Sequence, residues 1–128
     1  MTARHVNPAT VATPTGYSHA VVKSGNPVFL AGQVSLDSSG QLVGPGDPLA
    51  QSRQIWTNIA NLCQAVGASL ADIVKITVFT TDLAYRPAIA EARSEVFPDG
   101  SFPASTFVVV SSLATADFLV EIEAVVMI

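Results

Sequence analysis

The sequence predicts an α+β domain, a mixed β-sheet with two helices packed on one of its faces. Three observations carry that expectation. Two stretches repeat apolar residues at helical spacing, five short segments read as strands around them, and the last strand has one wholly apolar face that needs a cover. At 128 residues the chain is expected to form one domain over residues 1–128.

The elements follow in order. Residues 1–16 are rich in Pro, Thr and Ala and read as an arm running extended over the surface. His19–Lys23 (HAVVK) and Val28–Val34 (VFLAGQV) read as strands, and Ser24-Gly25-Asn26-Pro27 between them has hairpin-turn chemistry. A polar, Gly-rich loop spans Asp37–Gly46. Asp47-Pro48 opens a helix with an N-cap carboxylate and a proline at the first helical position. Ile55, Ile59, Leu62 and Val66 recur on its apolar face, and Gly67 supplies a left-handed stop. Ser69 to Asp72 has the spacing of a capping-box variant, so a short turn precedes the β-branched strand Ile73–Thr80. A second helix covers Tyr85–Phe97 and ends at Pro98-Asp99-Gly100. Strands Ser105–Val110 and Phe118–Val126 close the order β-β-α-β-α-β-β.

The closing strand says what the sheet must do. Phe118, Val120, Ile122, Ala124, Val126 and Ile128 share one apolar face, while Leu119, Glu121, Glu123, Val125 and Met127 share the other. Helices cover only the first of these. The second is too apolar to face water, which predicts association between sheets of different subunits. Charged residues make up 12% of the chain, about half the usual ~25%, and mean hydropathy is +0.45, both pointing the same way.

Composition also excludes function classes. Six basic residues, scattered singly in a chain of net charge −4, leave no footprint for a phosphate backbone, so no nucleic-acid partner is expected. One cysteine, Cys63, forms no internal disulfide and asks for no oxidising compartment. No signal-peptide pattern and no membrane-length apolar run occur, so the expected location is the cytoplasm. His5, His19 and Cys63 lack metal-ligand spacing, so no metal site is expected. Cys63 and Trp56 read as core residues of the first helix.

VFLAGQV, ADIVKITVFTTDL, SFPAS and the closing LVEIEAVV resemble, in order and spacing, the Rid family, also called YjgF-like and carrying an older endoribonuclease L-PSP label. The resemblance runs from about Tyr17 to the C-terminus. It implies a chorismate-mutase-like fold and a homotrimer with three clefts between subunits. For the best-known branch it implies cofactor-independent hydrolysis of reactive enamines and imines to 2-keto acids and ammonia.

The family's motif maps onto this chain only in part. Deaminases of the family place a carboxylate-binding arginine directly after Pro-Ala, where this chain has Ser105. A guanidinium suits that task through paired charge-assisted hydrogen bonds, which a serine does not replace. Phe107 stands where a cysteine is frequent, Ala31 where a serine precedes Gly-Gln, and Ala90 where the second helix often has asparagine. Tyr17 and Glu121 match. Glu121 is therefore the expected catalytic carboxylate, positioning or deprotonating a water aimed at the C=N carbon. Tyr17, Ala31, Ser105 and Phe107 are the expected substrate-binding residues, with Phe107 and Ala31 making the pocket more apolar. Glu123 reads as structural. Arg86 and Arg93, seven residues apart on one helix face, read as a solvated face, the alternative being that one substitutes for the missing arginine. The resulting expectation is an enamine or imine hydrolase of altered specificity acting on a small metabolite. The competing reading is a trimer that binds a small metabolite without turning it over.

Overall fold

The computed structural model describes residues 2–128. Its strands are β1 (Arg4–Val6), β2 (Ala20–Val22), β3 (Pro27–Gln33), β4 (Ile73–Thr80), β5 (Ala104–Val109) and β6 (Val120–Met127), and its helices α1 (Pro48–Ala65) and α2 (Arg86–Val96). The main sheet has the order β3-β6-β4-β5. β6 runs antiparallel to both β3 and β4, and β4–β5 is parallel, joined through α2. The mixed sheet with both helices on one face is the α+β architecture expected.

Local chemistry explains the helix ends. The Asp47 carboxylate accepts from the amides of Leu49 and Ala50, and Pro48 occupies the first helical position, where no amide partner is needed. The capping box also forms: the Asp72 carboxylate accepts from the Ser69 amide at 2.9 Å and closes a 3-10 turn into β4. The core lies between helices and sheet. Ile55, Trp56, Ile59 and Cys63 of α1 and Ile89 and Ala92 of α2 bury against Ile76, Val78, Val120, Ile122, Ala124 and Val126. Trp56 stacks edge-on against Phe97, ring centroids 5.4 Å apart. The apolar face expected of the last strand is thus the core face.

Two expectations are overturned. β2 does not form a hairpin with β3. It pairs antiparallel with β1, which lies in the arm expected to run merely extended. The connecting segment is claimed by the C-terminus instead: the Asn26 amide donates to the Ile128 carbonyl, and the Ile128 amide donates back to the Asn26 carbonyl at 2.9 Å. Pro27, without an amide, begins β3 as a partner of β6 rather than closing a hairpin. The observed order therefore carries one strand more than expected, at the N-terminus.

The opposite sheet face has no helix over it. Phe29, 75% exposed, stands there beside Val125, and Glu121 and Glu123 pair across to Phe79 and Thr77.

Candidate functional site

Strand register decides which side chains meet. Residues paired across a sheet project to the same face. Ser105 pairs with Ile76 and Phe107 with Val78, and both partners are core residues, so Ser105 and Phe107 lie on the helix-covered side of the edge strand β5. There they line a cavity of about 180 Å³ together with Thr15, Tyr17, Ile89, Ala90, Arg86 and Arg93. Tyr17 is half-buried and meets His19 edge-on, centroids 5.2 Å apart.

The two arginines are the principal correction at this site. Neither sits on a plain solvated face. Arg93 is half-buried, with its guanidinium over the Phe102 ring at 5.6 Å and its Nε buried without a hydrogen-bond partner. Burial, with the nearby Arg86 charge second, lowers its pKa from the ordinary arginine value. Arg86 is exposed, yet its guanidinium lies over the Phe107 ring at 5.4 Å, which swings it toward the same cavity. The backbone makes room for this. Gly16 has φ +74°, and a Cβ there would overlap the Arg93 guanidinium. Small Ala90 and Ser105 leave the remaining space. No acid lines the cavity, and the two ion pairs among the described residues, Lys23–Asp72 and Arg53–Glu95, involve neither arginine.

Glu121 lies elsewhere. It pairs with Phe79, one position off the core register, and so projects from the open sheet face. Its carboxylate is half-buried against Gly32, where an added Cβ would overlap it. Gly32 and Ala31 form a bulge: three steps along β3, from Leu30 to Gln33, oppose two along β6, from Ala124 to Ile122. Ala31 is exposed at that bulge. The expected site residues therefore fall into two groups on opposite faces of one sheet, Tyr17, Ser105 and Phe107 on one and Ala31 and Glu121 on the other. Glu123 is exposed beside Thr77. Among the described residues no cluster of three or more His, Cys, Asp or Glu side chains is arranged to hold a metal, and no helix is long and apolar enough to cross a membrane.

Arg86 and Arg93 are the residues whose role sequence reasoning placed second. A signal was present: 86, 89, 90 and 93 form one row at helical spacing, and its member Ile89 belongs to the buried stripe. Phe102 and Phe107 supply the ring faces on which the guanidinium groups rest.

Comparison with known proteins identifies the family and the fold. The family model described as Endoribonuclease L-PSP matches residues 8–128. A RutC family protein of Pyrococcus horikoshii is 38% identical over 112 residues, covering 88% of this chain and 87% of its own. A 2-iminobutanoate/2-iminopropanoate deaminase of Dermatophagoides farinae is 32% identical over 115 residues, covering 90% of this chain and 88% of that protein. The crystal structure of a Rid family protein from Yersinia pestis, itself of unknown function, superposes with a TM-score of 0.93 at 34% identity and full coverage of both chains.

Proposed function

Since the chain belongs to the Rid family, described also as endoribonuclease L-PSP, we propose that it hydrolyses small, acid-bearing imines or enamines without a cofactor, in clefts between subunits of a homotrimer. The observation that carries this reading is the pair of guanidinium groups, with no acidic partner among the described residues, around the cavity that Ser105 lines. Ser105 removes the family's carboxylate anchor from β5, and Arg93 offers a cation to the same space from α2.

The chemistry is balanced by water alone. The substrate carboxylate binds the Arg93 guanidinium through charge-assisted hydrogen bonds. Glu121 positions a water and takes its proton as the oxygen attacks the C=N carbon. Return of that proton to the imine nitrogen gives a carbinolamine; its hydroxyl proton then passes through the Glu121 carboxylate to the nitrogen, the C–N bond breaks, ammonia leaves and a 2-keto acid remains. Because Glu121 projects from the open sheet face and Arg93 lies on α2, on the helix-covered side, the reading requires that the open face of one copy stack beside the β5 edge of the next. The apolar character of that face, with Phe29 at its surface, supports such stacking. Buried, reduced Cys63 suits a cytoplasmic trimer.

A nuclease reading, suggested by the family's description, has less support. A net charge of −4 and a small cationic cavity offer little to a polyanionic backbone. The test generates 2-iminobutanoate in situ with an amino-acid oxidase and follows 2-oxobutanoate release. Acceleration over the spontaneous rate is expected, with Glu121→Gln losing on the order of 100-fold or more in kcat. No acceleration would leave a trimer that binds a metabolite without turning it over.

A further inference from the structure

We infer that the site is built for an imine bearing two acidic groups, with Arg93 anchoring the carboxylate next to the reacting carbon and Arg86 selecting for a second, distal one. The inference rests on the hydrolase reading and goes beyond it in naming the substrate class. Three features of the cavity carry it.

The first is charge. A single carboxylate would neutralise one guanidinium and leave the other facing it unpaired, whereas a dianion neutralises both. No side chain of the same copy does so: the lining contains no acid and neither arginine has an ion-pair partner among the described residues. Two like charges held around one partly enclosed space repel each other, and such an arrangement favours the state in which an anion fills it.

The second is geometry. Seven residues along an α-helix is about 10.5 Å between backbone positions. Both side chains fold back toward the cavity between them, each braced on a ring, Phe107 for Arg86 and Phe102 for Arg93. Both cations therefore border one space and present two anchoring points. The third is size. Within one copy the cavity offers about 180 Å³, room for a short diacid. The two cations also differ in kind. Arg93 is half-buried with an unpartnered Nε, a fixed anchor, while Arg86 is exposed at the mouth, where it can discriminate.

The experiment compares imines generated in situ from aspartate and from 2-aminobutanoate by the matching oxidases, and measures binding of the unreactive acids succinate and butanoate by calorimetry. At least a tenfold preference for the diacid is expected in kcat/KM and in affinity. Arg86→Gln is expected to reduce that preference at least tenfold, and Arg86→Lys to restore part of it. Equal handling of the two imines, unaltered in ratio by Arg86→Gln, would overturn the inference while leaving the hydrolase reading standing. If neither imine is turned over, the hydrolase reading fails, and the calorimetric preference for succinate and its loss in Arg86→Gln still decide this one. Inorganic phosphate serves as a control dianion. Phosphate binding tighter than succinate would assign the cations to a phosphorylated ligand and overturn the diacid.

Discussion

At the scale of single residues, the site depends on what is absent as much as on what is present. Ser105 and Ala90 are small, and the space beside them is lined by two guanidinium groups. Gly16 completes it. Its φ of +74° favours glycine, and a side chain there would strike Arg93. Gly16→Ala is therefore expected to displace the Arg93 guanidinium and raise KM for the acid-bearing imine roughly tenfold, the effect of losing about 1.4 kcal/mol of binding. A KM as in the unmodified protein would show that Arg93 does not bind the substrate. Gly32 has the matching role for Glu121. Gly32→Ala pushes the carboxylate aside and is expected to lower kcat more than KM, since it misplaces the water and not the acid anchor. An equal effect on a Glu121→Gln background would mean that Gly32 acts through something other than that carboxylate.

At the scale of elements, the helices and inner strands were legible because their signals are local. Asp47-Pro48 marks the start of α1, Ser69 to Asp72 the turn into β4, and alternation in β6 its core face. The pairing of β2 was not legible, because its partner is chosen by contacts far away in sequence. Lys23, at the end of β2, reaches the Met127 carbonyl at 2.9 Å and the Asp72 carboxylate, tying β2 to the far end of β6 and to the cap of β4. Asp72 thus serves two elements at once. The Lys23 bond, then the Ser69 amide, hold its carboxyl below the ordinary aspartate value. A depressed carboxyl contributes stability that is fully present above the unfolded pKa of about 4 and is lost as pH falls through the lower folded value. Asp72→Asn leaves the nearly buried Lys23 ammonium with one carbonyl and is expected to cost roughly 1–3 kcal/mol in urea unfolding at pH 7. The deficit should shrink below pH 4. A deficit independent of pH would show that the charge of Asp72 contributes nothing to the loss.

At the scale of the whole molecule, register explains why only half of the candidate site was legible. The sequence shows which residues share a strand face, and so it isolates Glu121 on the face opposite the core. Which way Arg86 and Arg93 turn depends on Phe102, Phe107 and Gly16, brought beside α2 only by the folded chain. On the proposed reading the two halves of the site belong to different copies, which has a consequence that a single-copy site lacks. Glu121→Gln and Arg93→Ala each abolish every cleft of a trimer made from that variant alone. When both variants are co-expressed and assemble at random in a cyclic trimer, each cleft takes its cation from one subunit and its carboxylate from the next. About a quarter of the clefts then combine an intact Arg93 with an intact Glu121, so activity should return to about a quarter of the unmodified level. A site within one copy would recover nothing, because every copy carries one of the two lesions. Phe29→Asp provides the complementary check. It places a charge on the 75% exposed ring position of the open face and is expected to shift sedimentation from trimer toward monomer and to remove activity in parallel. Activity that survived in the monomer, or a co-expressed mixture as inactive as its parents, would put the catalytic carboxylate somewhere other than across a subunit boundary from the arginines.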